Sequence, residues 1–311
     1  MTRMEQELMS KHTNFRVGGP ARLYVIAQTP DEAMQAIEEA KTKNMPFYVF
    51  GGGSNLLVSD QGFDGMMIQM ANRGLKIDGQ RVMADAGAIT ALVARQSVDA
   101  GLTGFEWAIG VPGTIGGAVY GDAGCYGGEM RDVVESVDAL RLSDGQRVTL
   151  SNADCGFGYR ASMFKREPHV IFGVTLKLEP SPDVAASKKR MEDIVAMRKE
   201  KQPLDASSAG CVFKNFEFTD EKELDILKRH LEVPQSMIDK KQIPVGWLID
   251  QAGMKGKRIG DVEVSSKHGN FFINTGKARA QDILALISLV KMKVRDDLGI
   301  ELQEEAQYVG F

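Results

Sequence analysis

Glycine is concentrated in one quarter of this chain, and that concentration limits what the chain can become. There are 33 glycines in 311 residues, where an average chain of this length carries about 22. Of these, 18 lie between Gly51 and Gly128. No Gly-X-Y period runs through them, and Val, Ile, Leu and Met are interleaved throughout, so a collagen helix and a low-complexity tract are both excluded. Lacking a Cβ, glycine tolerates positive φ and lets backbone approach another group closely. The region therefore reads as one in which backbone holds a ligand.

The rest of the composition is that of a globular protein, with 43% hydrophobic and 26% charged residues. The length suits two or three domains. A net charge of −4 and a pI near 5.7 leave no basic footprint for nucleic acid. No apolar run approaches the ~18 residues of a membrane span, so no membrane insertion is expected. Residues Met1 to Lys11 are polar and mixed in charge, without the apolar core of a secretory signal. Cys125, Cys155 and Cys211 have no CxxC spacing, which suits reduced thiols and a cytoplasmic setting. His12, His169, His230 and His268 stand singly, so no metal site is expected.

The chain divides into three regions with an α+β pattern. Residues 1–67 read as a small βαβ unit: strand Leu23 to Ala27, a helix opened by Thr29-Pro30-Asp31-Glu32 and ending before Pro46, then strands Phe47 to Phe50 and Leu56 to Val58. Residues 68–200 carry short Val/Ile/Leu segments at Val82–Ala84, Val133–Leu142, Val148–Leu150 and Val170–Leu178, the signature of an antiparallel or mixed sheet. A helix from Ile89 to Ala100 lies among them, and a charged connector helix, Ser181 to Gln202, closes the region. Residues 201–299 predict helices at Glu221–His230, Val245–Ala252 and Ala278–Leu298, with strands Val262–Val264 and Phe271–Asn274 between them. The last helix has Ile283, Ile287, Val290, Val294 and Leu298 on one stripe and stops at Gly299. The tail, 300–311, is expected beside the first segment.

Two loops stand out chemically. Gly51-Gly52-Gly53-Ser54-Asn55 follows a strand and offers successive N–H groups with little bulk, as a pyrophosphate nest would. A tight turn needing positive φ explains it equally well. It is neither a GxGxxG fingerprint nor a P-loop. The second cluster, Gly110 to Gly117 followed by Tyr120 to Glu129, suits close packing on a flat ligand or a loop-rich barrel corner.

Six segments in order carry a resemblance: Phe50–Leu57, Gly110–Glu129, Tyr159–Lys165, Ala209–Asn215, Gly246–Gly253 and Lys267–Phe271. Together they resemble the UDP-N-acetylenolpyruvoylglucosamine reductases, shorter-loop subtype, over nearly the whole chain. The resemblance implies a two-domain FAD-binding module of the vanillyl-alcohol-oxidase-like type and a C-terminal α+β substrate domain. It implies non-covalently bound FAD, NADPH as co-substrate, UDP-N-acetylglucosamine enolpyruvate as substrate, and a monomer.

It also implies residue roles. Gly51, Gly52, Gly53, Ser54, Asn55 and Leu56 would hold the FAD pyrophosphate, and Gly110, Pro112, Gly113, Thr114, Gly116 and Gly117 would approach the flavin. Arg160 would stabilise negative charge developing on the substrate, since guanidinium is always protonated and bidentate. Cys211 stands where the family commonly has serine and would donate a proton to carbon; a packed core thiol is the alternative. Glu305 would assist it, with Glu304 one residue away. Tyr159, Lys214 and Asn215 would contact substrate. Asp122 stands where asparagine is usual, and Gln307 where a basic residue is.

Overall fold

The segment after Ala27 shows how locally determined parts of this fold are. Thr29 caps the helix Pro30–Thr42, its hydroxyl accepting the Glu32 N–H at 3.2 Å. Glu32 reaches back to the N–H of Gln28 at 2.7 Å, one residue before the cap. The computed structural model describes residues 1–311 apart from the side chain of Glu221. They form two compact units, one of Met1–Glu7, Ala21–Gly53 and Asp64–Glu200, the other of Leu8–Pro20, Ser54–Phe63 and Lys201–Phe311.

The first unit has two large sheets, each with its own core. A four-stranded sheet runs in the order Thr2–Leu8, Pro20–Ala27, Phe63–Met70, Phe47–Phe50. Helix Pro30–Thr42 buries Ala33, Ala36, Ile37 and Ala40 on it, against Val25, Met66 and Ile68. The simple βαβ expectation needs correction here. Phe63–Met70 lies between the two expected strands and pairs in parallel with Phe47–Phe50. Its sequence hides it: Asp64 and Gly65 disfavour a strand, and methionine signals one weakly. Burial from both sides decides the matter, because Met66, Met67 and Ile68 are fully covered.

The second sheet of this unit is antiparallel, in the order Arg147–Ser151, Val134–Arg141, His169–Lys177, Arg81–Asp85, Leu75–Asp78. Its core gathers Phe105, Trp107, Ile115 and Met130 around Val137 and Val174. Helix Thr90–Asp99 and the connector Val184–Lys201 belong to this unit. The connector buries only Ser187, Met191 and Ile194, which fits its charged composition. Within the glycine cluster the chain forms a short helix, Ile115–Tyr120, and a tight hairpin, Gly124–Cys125 with Gly128–Glu129.

In the second unit, helix Ala280–Leu298 buries Ile283, Ile287, Val290, Val294 and Leu298, the stripe visible in the sequence. Gly299 ends it at φ 70°, a left-handed cap. The antiparallel sheet Arg258–Ile259, Val262–Val264, Phe272–Asn274 and helix Val245–Gln251 complete the core, which also takes in Phe15, Val17 and Leu57. The expected helix Glu221–His230 is instead a 3₁₀ turn, Glu221–Leu224, and one α-turn, Asp225–Lys228. Leu224 and Leu227 are its buried anchors, too few to hold a longer helix.

The bounds of the units depart from the segments expected from sequence. Leu56–Val58 leaves the first sheet and pairs in parallel with Gln307–Val309 of the tail. That pairing draws 54–63 into the second unit. Among the described residues, no helix is long and apolar enough to cross a membrane, and no three His, Cys, Asp or Glu converge as a metal site.

Candidate active site

The two glycine loops meet inside the first unit. A Cβ on Gly51 would lie 2.1 Å from Thr114 Oγ1, and one on Gly52 would lie 3.2 Å from Gly113 Cα. Their bareness thus serves first to let loop 51–53 pack edge-on against 113–114. Gly53 and Gly113 have φ of 64° and 96°, which only glycine adopts freely. Thr114 caps the helix Ile115–Tyr120, its hydroxyl facing the Gly117 N–H at 3.4 Å. Within the larger cluster, Gly110 is pressed by Arg198, Gly116 by Ala86 and Gly128 by the Trp107 indole. Much of the glycine excess is therefore consumed by packing of protein on protein. Gly52, Gly117 and Gly127 are exposed.

A dinucleotide fits this cradle. Among the described residues, the N–H groups of Gly52, Gly53 and Thr114 donate to no protein acceptor. Unspent donors on adjoining loops suit phosphate oxygens.

Arg160 stands at a two-residue turn, closed by hydrogen bonds in both directions between Gly158 and Ala161 at 2.8–2.9 Å. Its φ of 51° is left-handed, a conformation costing a non-glycine residue on the order of 1 kcal/mol. The guanidinium donates to the carbonyls of Asp122 at 3.1 Å and Gly124 at 2.6 Å, and lies 4.9 Å over the Tyr159 ring. Lys165 Nζ donates to the Arg160 carbonyl at 2.9 Å, and Ser162 Oγ to the Tyr120 carbonyl at 2.7 Å. Such a scaffold separates Arg160 from an ordinary surface arginine in a turn. Asp122 is fully buried; desolvation pushes its carboxyl above the usual value, against the opposing pull of its hydrogen bond to the Arg131 N–H. The hairpin brings Glu129 to 3.9 Å from Arg160, with Arg131 on its other side, a neighbourhood that no motif announces.

Cys211 and Glu305 are both in the second unit, on neighbouring extended segments. Residues 211–214 run between 270–271 and 303–305. Val212 N–H donates to Asn270 O at 3.0 Å, Glu305 N–H to Val212 O at 2.8 Å, and Lys214 N–H to Gln303 O at 2.8 Å. The buried Asn270 amide holds both backbone groups of Phe213, at 2.9 and 2.8 Å. Cys211 itself is half-buried, unlike the fully buried Cys155, so the packed-thiol alternative describes Cys155 better.

The neighbouring glutamates have different surroundings. Glu304 accepts from Lys291 Nζ at 2.6 Å and from the Tyr308 hydroxyl. Burial opposes its ionisation, yet these two donors outweigh burial and hold the carboxyl below its usual value. Asn55 donates to the Glu305 carbonyl at 3.0 Å, and Gln307 does the same at 3.0 Å. Asn55 thus secures the tail, and Leu56 is a buried strand residue paired with Gln307.

Asn215 is also structurally occupied. Its Oδ1 receives the Val245 N–H at 3.1 Å and its Nδ2 donates to Gln242 at 3.2 Å. Lys214, next to it, is half-buried. The remaining motifs pack on each other: a Cβ on Gly246 would lie 2.9 Å from the His268 ring, and one on Gly269 would strike the Gly246 carbonyl at 2.6 Å.

Known proteins resemble this chain over nearly its whole length. Residues 202–309 match the domain family described as UDP-N-acetylenolpyruvoylglucosamine reductase, C-terminal domain, and residues 21–151 match an FAD binding domain. The UDP-N-acetylenolpyruvoylglucosamine reductase of Caldanaerobacter subterraneus is 37% identical over 98% of this chain and 92% of its own length. That of Chloroflexus aurantiacus is 38% identical over 99% and 98%. The crystal structure of the Thermus caldophilus reductase is 33% identical, covers 99% of this chain and 98% of its own, and superposes with a TM-score of 0.77.

Proposed function

We infer the division of labour among these residues from the premise that the chain belongs to the UDP-N-acetylenolpyruvoylglucosamine reductase family. The protein is an FAD-dependent oxidoreductase that reduces the enolpyruvyl ether of UDP-N-acetylglucosamine enolpyruvate in peptidoglycan precursor synthesis. We take NADPH as the reductant, the cytoplasm as its location and a monomer as the working form. Bound FAD supplies the two-electron carrier that links oxidation of the nicotinamide to reduction of the ether.

Loops 51–55 and 110–117 hold the cofactor's phosphates through backbone N–H groups, with Gly51 and Gly116 acting through loop packing. When hydride reaches the methylene carbon, electron density moves toward the substrate carboxylate. Arg160, already ordered by two carbonyls, meets that charge without reorganising. The neighbouring carbon then needs a proton, and Cys211 donates it. A thiol, with an ordinary pKa of about 8.5, gives up a proton more readily than a serine hydroxyl. Glu305 assists the donor. Lys214 suits a diphosphate as a point charge. Asn215 anchors the segment that carries Lys214.

The observation that supports this reading is the bridging of segments 211–214 and 303–305, which puts Cys211 and Glu305 on neighbouring segments while Glu304 is occupied by Lys291 and Tyr308. Rapid-mixing absorbance of the flavin tests it. Cys211→Ala is expected to be bleached by NADPH at the wild-type rate and to fail to recolour with UDP-N-acetylglucosamine enolpyruvate, while Cys211→Ser retains much of that second step. Full turnover by the alanine variant would remove Cys211 from the mechanism.

A further inference from the structure

Beyond the groups that meet substrate, the first unit contains a chain of four charges that ends on Arg160. Asp122 is fully buried at φ 42°. Its Oδ1 receives the Arg131 N–H at 2.9 Å, and its Oδ2 lies 2.9 Å from Arg131 Nε. The second contact is out of line for a hydrogen bond, so its attraction is Coulombic. Arg131 also reaches Glu129, Nη2 to Oε2, at 2.5 Å. The other oxygen of Glu129 lies 3.9 Å from Arg160 Nη1. Gly124 makes room for this, since a Cβ there would lie 2.5 Å from Glu129 Cγ.

The asymmetry is the informative part. Glu129 stands between two guanidinium groups and is in close contact with only one. A carboxylate free to choose would form a forked pair with Arg160, which is the less exposed of the two at 17% against 34% for Arg131. Such a pair would cancel the positive charge that Arg160 is to offer the substrate. Arg131 prevents it by holding Glu129, and Asp122 holds Arg131.

We propose that Arg131, anchored on buried Asp122, is a positioning residue that holds Glu129 at the edge of Arg160 and out of a close forked pair with it. The same anchor fixes the loop whose Asp122 and Gly124 carbonyls receive the Arg160 guanidinium. The proposal rests on the reading of Arg160 as the group that meets developing charge.

The test compares Arg131→Gln, Arg131→Gln/Glu129→Gln and Arg160→Gln in the flavin-loaded protein, reading reduction by NADPH and reoxidation by UDP-N-acetylglucosamine enolpyruvate separately. In Arg131→Gln, reoxidation is expected to slow by roughly tenfold or more as Glu129 captures Arg160, with reduction by NADPH unchanged. Adding Glu129→Gln should restore most of the lost rate, which a merely structural role for Arg131 would not allow. Calorimetric affinity of flavin-stripped protein for the same substrate should follow the same ranking. Arg131→Lys keeps a charge beside Asp122 but cannot fork to both carboxylates, and it carries the same expectation if the glutamine variant folds poorly. A double variant as slow as the single one, or wild-type reoxidation in Arg131→Gln and Arg131→Lys, would overturn the clamp while slow Arg160→Gln left the underlying reading intact. Wild-type reoxidation in Arg160→Gln would overturn the reading itself and the clamp with it.

Discussion

Replacing Gly51 by alanine isolates the contact between the two glycine loops. The backbone at Gly51 is not in the left-handed region, so alanine meets no φ penalty there and the effect is steric. Its methyl would lie 2.1 Å from Thr114 Oγ1, where ordinary contact is about 3.5 Å, so one loop must yield on the order of 1 Å. Overpacking of that kind costs about 1–3 kcal/mol. Displacing Thr114 also weakens its cap on helix Ile115–Tyr120, a further ~1 kcal/mol. Against this, alanine restricts the unfolded chain and returns about 0.4–1 kcal/mol. The net expectation is a loss of about 2 kcal/mol, or roughly 4–8 °C in melting temperature. Thr114→Ala removes the obstructing hydroxyl, leaving Cβ at 3.2 Å as the nearest atom, and by itself should cost only the cap, about 1 kcal/mol. The double variant should therefore be about as stable as Thr114→Ala alone. Thermal unfolding of flavin-stripped protein measures this without the cofactor's own stabilisation. Additive losses near 3 kcal/mol in the double variant would refute loop–loop contact as the reason for glycine at 51.

Other consequences can be checked by similar means. Asn270→Ala leaves two buried backbone groups of Phe213 unpaired, for a loss of about 2–4 kcal/mol in urea unfolding, and should slow flavin reoxidation by misplacing Cys211. Glu304 is held below its unfolded pKa of about 4.5, so its contribution is present above that pH and is lost as pH falls through the folded value. Glu304→Gln should accordingly lower the melting temperature at pH 7, and the gap to wild type should close below pH ~4.5. Burial pushes the Cys155 thiol up to about 11, leaving roughly one part in a thousand as thiolate at pH 8. Native alkylation followed by mass spectrometry should therefore mark the half-buried Cys125 and Cys211 ahead of Cys155, which is spared until the protein unfolds.

Where a few neighbouring residues carry the decision, the fold was legible in the chain. Thr29-Pro30 opens a helix by its own chemistry, and the Ile283–Leu298 stripe ending at Gly299 needs no distant partner to be recognised. Phe63–Met70 escaped because its strand character comes from neighbours covering Met66 to Ile68 on both sides. The helix Ile115–Tyr120 escaped because two of its six residues are glycine. For the site, ordered motifs were enough to nominate Arg160, Cys211 and Glu305, yet they could not separate Glu305 from Glu304. The structure shows Glu304 occupied by Lys291 of helix Ala280–Leu298 and by Tyr308 of the tail itself, contacts that no local pattern announces.

The sequence by itself determined that backbone would come unusually close to something, because glycine is the one residue that permits it. It also supplied the family's side chains in order. Only the tertiary structure decided what the backbone comes close to. At Gly51, Gly116 and Gly128 the close neighbour is the protein itself, while the loops keep unspent N–H donors at Gly52, Gly53 and Thr114. The physical reason is that a missing Cβ records close approach without recording its partner. The partner is set by register and packing between segments some 60 residues apart, which no local pattern encodes.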